Sequence, residues 1–176
     1  MSAMRTSLVL TVIGDDKPGI VEQISDRVLA TGANWEESSM ARLAGKFAGV
    51  LRVSVPAGQA DALLAELRTL STRGLTVVAE SSNTPEPPPA THLRLSVVGN
   101  DRPGIVREIA QTLAAHSVNI ETLETDVSSA PMSGELLFHA QALLRVPAGV
   151  TVDQVRGMLE ALAAEMMVDL DLDDLS

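Results

Sequence analysis

Val97-Val98-Gly99-Asn100-Asp101-Arg102-Pro103-Gly104-Ile105-Val106 restates, 85 residues later, the stretch Val12-Ile13-Gly14-Asp15-Asp16-Lys17-Pro18-Gly19-Ile20-Val21. The agreement continues through Ile24 and Ile109, Ala30 and Ala115, Asn34 and Asn119, and Glu36 and Glu121. A second block, Val55-Pro56-Ala57-Gly58 against Val146-Pro147-Ala148-Gly149, is offset by 91, so the second copy carries six extra residues between the two anchors. Such a duplication divides the 176 residues into two units of one fold. Each unit is near the lower size limit for a domain with its own core.

Outward from the repeated stretch the apolar pattern changes period. Leu93, Leu95 and Val97 alternate with Arg94, Ser96 and Val98, and Leu8, Leu10 and Val12 are their counterparts in the first copy. Alternation marks a strand with one buried face, here the face turned to a helical layer. After the Pro-Gly pair the apolar residues recur at helical spacing, as Ile20, Ile24 and Val28 and as Ile105, Ile109 and Leu113, which predicts a first helix ending near Gly32 or Ser117. Residues 34–43 and 47–55 read as two strands joined at Ala44-Gly45, matched by 120–127 and 136–146. The extra residues belong in the second hairpin, around Ala130-Pro131-Met132-Ser133-Gly134. Leu63, Leu64, Leu67 and Leu70 mark a second helix, matched less regularly by Val155, Met158, Leu159 and Leu162, and closing strands are expected at 75–81 and 167–172.

In the acidic end, Asp169-Leu170-Asp171-Leu172-Asp173-Asp174-Leu175, leucines and carboxylates alternate. That favours a last strand with leucines inward over a solvated tail. Each copy thus reads β-α-β-β-α-β. The expected class is α+β, two ferredoxin-like sandwiches, each a four-stranded antiparallel sheet with two helices on one face. Residues 81–91 contain four prolines within five positions, an extended, semi-rigid composition that neither continues a helix nor enters a central strand. The expected domains are therefore 1–81 and 92–176, with a Pro-rich linker at 82–91 that lets them sit side by side without tumbling freely.

The formal net charge is −10, from 23 acidic and 13 scattered basic residues. This argues against direct binding to nucleic acid or to anionic membranes, although acidity alone commonly serves solubility. Two Phe, one Trp and no Tyr leave no aromatic platform for single-stranded nucleic acid. The absence of cysteine removes disulfides, thiol nucleophiles and zinc-thiolate sites together. The apolar run at 8–13 is too short for a signal peptide or a membrane span, and a cytoplasmic location is expected. His92, His116 and His139 show no metal-ligand spacing and no catalytic pairing with Ser or carboxylates. The glycines of the loop at 14–19 have neither phosphate-loop nor Rossmann spacing. No active site and no cofactor are expected.

The repeated stretch, followed by a helix and then Val118-Asn119-Ile120-Glu121, resembles the ACT domain, a small-molecule-sensing module of this topology, and both copies carry it. The tandem arrangement, with Ala130-Pro131-Met132-Ser133-Gly134 leading to Leu137-Phe138 and Val146-Pro147, is similar to the glycine cleavage system transcriptional repressor family. That resemblance implies a regulator acting through a protein partner, a transcription activator being the partner it suggests. It also implies a small ligand, usually an amino acid and here most plausibly glycine, bound where a strand-to-helix loop meets a neighbouring domain.

The loop chemistry is compatible with such a ligand. A helix N-terminus offers unpaired N–H groups and a favourable dipole to a carboxylate. Gly19 and Gly104 leave that approach open, and Pro18 and Pro103 preset a helix-compatible φ. Asp15, Asp16, Asn100 and Asp101, with Asn34 and Asn119 at the next strand entrance, supply acceptors for an ammonium group. The candidate site therefore comprises Asp15, Asp16, Lys17, Pro18, Gly19, Ile20 and Asn34, and Asn100, Asp101, Arg102, Pro103, Gly104, Ile105 and Asn119.

Plainer roles compete at several positions. Asp16 and Asp101 fit helix caps equally well, and Asn34 and Asn119 fit turn residues in left-handed backbone. Trp35, in the place of Ile120, fits core packing better than ligand contact. Met132 fits either a partner contact or a local gap-filler. At the level of the whole chain, an interaction module without ligand, in which sheet edges or faces support a homodimer, is one alternative. A regulatory subunit of an amino-acid metabolic enzyme is another.

Overall fold

The computed structural model describes residues 4–82 and 84–176. Residues 1–3 of the first unit and Asn83 of the expected linker lie outside the described residues. The first unit contains β1 (Arg5–Asp15), α1 (Ile20–Ala30), β2 (Asn34–Leu43), β3 (Lys46–Pro56), α2 (Ala60–Arg68) extended by a 3₁₀ turn at Thr69–Arg73, and β4 (Leu75–Ser81). The second contains β5 (Thr91–Asn100), α3 (Ile105–Ala115), β6 (Asn119–Ser129), β7 (Leu136–Val146), α4 (Val152–Met166) and β8 (Asp169–Asp174). Compact packing divides the chain between Glu86 and Pro87.

Each unit is a four-stranded antiparallel sheet, ordered β2-β3-β1-β4 and β6-β7-β5-β8. This is the expected ferredoxin-like arrangement, present twice. The alternating residues place the core: Leu8, Leu10 and Val12 in one sheet and Leu93, Leu95 and Val97 in the other are buried, as are Ile20, Ile24 and Val28 of α1 and Ile105, Ile109 and Leu113 of α3. With almost no aromatic residues, both cores are closed by aliphatic side chains, chiefly Leu51, Leu63, Leu67 and Leu70 in the first and Leu113, Leu144, Val155 and Leu159 in the second. Trp35 packs against the first core, as expected.

Both units break register at the same place, after Trp35 in β2 and after Ile120 in β6, where Glu36 and Glu121 are the inserted residues. An extra residue in an edge strand increases twist and re-aims the side chains that follow. The helices end where the sequence predicts, with Gly32 at φ 68° and Ser117 at φ 58°.

The last strand differs from expectation. It begins at Asp169, because Met167 adopts a left-handed φ of 54° to end α4, and Val168 N–H then closes onto the Ala163 carbonyl. Leu172 is buried and Leu170 half-buried, whereas Leu175 falls outside the strand and is exposed. Leucines thus face inward only while the strand pairs with β5. Met132, at the inserted hairpin, is fully exposed and fills no gap.

Candidate strand-to-helix ligand site

β1 ends at Asp15 and α1 begins at Ile20, so four residues turn the chain; in the second unit the turn lies between Asn100 and Ile105. The residue heading each helix is glycine, Gly19 at φ 89° and Gly104 at φ 96°. A side chain there would be strained in left-handed backbone. The first intrahelical bonds run from Gln23 N–H to the Gly19 carbonyl and from Glu108 N–H to the Gly104 carbonyl, both 3.0 Å. The amides of Ile20, Val21 and Glu22, and of Ile105, Val106 and Arg107, therefore have no intrahelical partner, and no side chain caps either helix. They form the positive end of each helix dipole.

This geometry removes the capping role expected of Asp16 and Asp101, which lie three residues before the capping glycines. Their backbones instead tie the loops to the adjoining hairpins: Asp16 N–H donates to the Gly45 carbonyl at 2.9 Å and Asp101 N–H to the Leu136 carbonyl at 2.8 Å. Pro18 and Pro103 precede the capping glycines and so shape the turn rather than the first helical residue. Ile20 and Ile105 send their side chains into the cores, leaving only their amides to the loop.

The two loops differ in charge pairing. In the first, Arg42 Nε donates to Asp16 Oδ2 at 2.5 Å, and Lys46 Nζ donates to Asp15. The Lys46 hydrogen bond, helped by the charges of Lys46 and Lys17 against a small desolvation cost, holds the Asp15 carboxyl below its usual range. In the second, Arg102 binds both carboxylate oxygens of Glu108, at 3.0 and 3.1 Å, and holds that carboxyl low. Asn100 and Asp101 remain exposed, with no side-chain hydrogen bond or ion pair among the described residues. The reason is positional: Arg42 stands opposite Phe47 on its hairpin, and the residue in its place opposite Phe138 is Val127. Lys17 is exposed and forms no ion pair or side-chain hydrogen bond among the described residues, acting on Asp15 only through its charge.

Asn34 and Asn119 are not turn residues in left-handed backbone; they open β2 and β6 as exposed strand residues. Asn34 pairs with Ser54 and through it lines up with Ser7, whereas the loop leaves the sheet at Asp15. At about 3.3 Å per strand residue the two are roughly 25 Å apart. Each unit therefore holds its loop and its asparagine at opposite ends. Arg42, Lys46 and Glu108 are the participants that sequence reading did not single out. For Arg42 and Lys46 the sequence signal was an excess of cations in the first hairpin over the second.

A model of the ACT domain family matches the chain twice, over residues 6–80 and 91–173. The chain belongs to the ACT domain family. Its tandem ACT domains are 27% identical over 164 residues to the glycine cleavage system transcriptional repressor of Escherichia coli (strain K12), covering 90% of this chain and 85% of that protein. The repressor of the same name from Shigella flexneri matches to the same extent. The crystal structure of an unknown protein from Galdieria sulphuraria superposes with a TM-score of 0.88 at 30% identity, covering 98% of this chain and all of that one. ACT domains are regulatory modules, and the likeness to named repressors supports a regulatory protein. No helix among the described residues is long and apolar enough to cross a membrane.

Proposed function

We propose that this protein is a cytoplasmic, non-enzymatic regulator that binds an amino acid, glycine among them, at its strand-to-helix loops and thereby changes its association with a transcription regulator. The supporting observation is the bare helix N-terminus headed by Gly19 or Gly104, with a carboxylate three residues before it. A ligand carboxylate suits the unpaired amides, and its ammonium suits Asp16 or Asp101. Asn34 and Asn119, at the far ends of the sheets, serve a ligand only when a neighbouring ACT domain brings one to a loop, as a second copy of the chain can. The net charge of −10 argues for action through protein rather than DNA. For occupancy to regulate anything, the ligand must bind one state of association more tightly than the other.

Calorimetric titration of glycine and other amino acids, with Trp35 fluorescence followed in parallel, tests the ligand. Saturable binding that is lost in Asp16→Ala or Asp101→Ala is expected, and heat from no amino acid would leave an interaction module as the better reading. Capture of transcription regulators from the protein's own cell, with and without glycine, tests the partner. Capture that ignores ligand would sink the regulatory mechanism.

A further inference from the structure

We infer that the protein forms a two-fold dimer through the face of its first sheet opposite the helices, with a second copy of the chain as the occupant. Such a pairing needs no ligand and goes beyond the regulatory reading above. Leu8, Leu10 and Val12 of β1 point into the core, so Val9, Thr11 and Ile13 point to the other side of the sheet. The ladder sets Val50 and Val78 on either side of Thr11, and Ala48 beside Ile13. Ile13, Val50 and Val78 are 48%, 47% and 52% exposed, and Val9 and Ala48 are half-buried. Charges stand at the two ends of this face. Arg52 and Glu80 flank Val9, with Arg52 paired to Glu37 at 3.1 Å, and Lys46 pairs with Asp15 beyond Ile13. An apolar centre within a charged rim is the anatomy of a protein interface.

The second domain is an internal control. Its equivalents of Val9, Val50 and Val78 are Arg94, Gln141 and Asp171, and His139 replaces Ala48. With Asp169 and Asp173 of β8 and Glu124 and Asp126 of β6, that face carries five carboxylates among the described residues. It is a surface suited to water. The fold therefore does not require an apolar face here, and the first domain alone exposes one, which a partner would cover.

The occupant follows from shape and charge. A two-fold axis lying between the stacked sheets, across the strands at Thr11, sets each Val50 and Val78 against its own copy and Val9 against Ile13. Arg52 then lies over Ala48 and Glu80 over Thr76, so no like charges meet. Stacked sheets keep their strands within about 30° of one another, which preserves these pairings. Four strands about 4.8 Å apart and the length of Ser7–Asp15 at about 3.3 Å per residue give a face of roughly 500 Å². Two copies would bury about 1,000 Å², the threshold for a specific interface. The dimer is accordingly a weak one, governed by concentration.

Sedimentation velocity of the full chain, from micromolar to millimolar concentration, tests the pairing. Val50→Glu sets two carboxylates against each other on the axis, and Val78→Glu does the same at the edge strand. Each should weaken dimerisation at least about tenfold, whereas Gln141→Glu, the corresponding change in the second domain, should leave it as it is. Mixing Val50→Glu with Val50→Lys should restore a dimer, because the axis makes position 50 its own partner. Thermal melting shows whether each variant is folded, and Val78→Glu, at a half-exposed edge position, remains informative if Val50→Glu is not. A parent chain that stays monomeric at millimolar concentration overturns the inference and leaves the face to a different protein. So does a dimer that both valine variants leave intact, or one that Gln141→Glu weakens equally. A mixture of the two Val50 variants that stays monomeric overturns the two-fold pairing.

Discussion

Arg42 Nε and the Asp16 carboxylate are joined by a 2.5 Å hydrogen bond that spans the first strand-to-helix loop and the hairpin beside it. The pair occupies the acceptor that an ammonium group would use. Removing the guanidinium in Arg42→Val should therefore strengthen glycine binding by the first domain about threefold or more. Because Arg42 is largely exposed, folding stability should change by less than about 1 kcal/mol. Calorimetry and urea denaturation read the two quantities separately, and weaker binding in the variant would show that Arg42 contacts the ligand instead of competing with it.

Asp15 titrates under the control of Lys46. Its carboxyl lies below the usual range because the Lys46 ammonium donates to it and adds favourable charge. A folded value below the unfolded one, about 3.9, means the pair favours the folded state above that pH. The contribution is lost as pH falls through the folded value. Lys46→Gln should return the Asp15 carboxyl to the ordinary aspartate range, observed by carbon-detected NMR titration. The pair is exposed to water, so the urea midpoint at pH 7 should barely move. An Asp15 titration curve unaltered by the substitution would remove Lys46 as the cause.

The fold was legible because its signals are local and repeat. Leu93, Leu95 and Val97 alternate within one strand, and Ile105, Ile109 and Leu113 share one face of one helix, so each element carries its own periodicity. The site was legible only as a loop. Gly19 and Gly104, rather than the aspartates, head the helices because the left-handed turn places the first helical carbonyl three residues after the carboxylate. Arg42 and Asp16 are 26 positions apart, and their meeting depends on how the hairpin twists past the loop. The residue groups expected to form one site were split for a similar reason: Asn34 follows a helix that has carried the chain back along the sheet. No property of an asparagine in isolation reveals which end of a strand it occupies.

Thr151 shows a second kind of helix start in the same chain. It caps α4 by accepting from Gln154 N–H at 3.2 Å, while Gln154 Oε1 accepts from Thr151 N–H at 2.9 Å. The reciprocal pair satisfies two donors that α1 and α3 leave open. Thr151→Ala should cost about 1 kcal/mol, seen as a lower urea midpoint at unchanged slope, and Thr151→Asp should retain most of the stability. Equal losses in both variants would mean that the hydroxyl acts through packing rather than through its hydrogen bond.

Gly14 and Gly99, equivalent residues of the repeated stretch, are where the first strand of each unit is crowded by its neighbour. A Cβ on Gly14 would lie 2.5 Å from Leu75 Cδ2 and 2.8 Å from the Gly74 carbonyl oxygen. A Cβ on Gly99 would meet Val168 Cγ1 and stand 3.0 Å from Val168 Cβ. A backbone carbonyl cannot swing aside, whereas Val168 is a half-buried side chain just ahead of β8. Both Gly14→Ala and Gly99→Ala should destabilise, in the range of about 1–3 kcal/mol usual for overpacking, with Gly14→Ala the costlier of the two. Because each glycine is also the penultimate residue of the strand that feeds a strand-to-helix loop, the shift needed to admit a methyl group moves that loop relative to its hairpin. Ligand affinity at the affected loop should fall together with stability, and urea denaturation paired with calorimetry on each variant will show whether the two losses travel together. Stability lost at Gly14 with first-loop binding intact would mean that the loop is held by Asp16 and Gly45 alone.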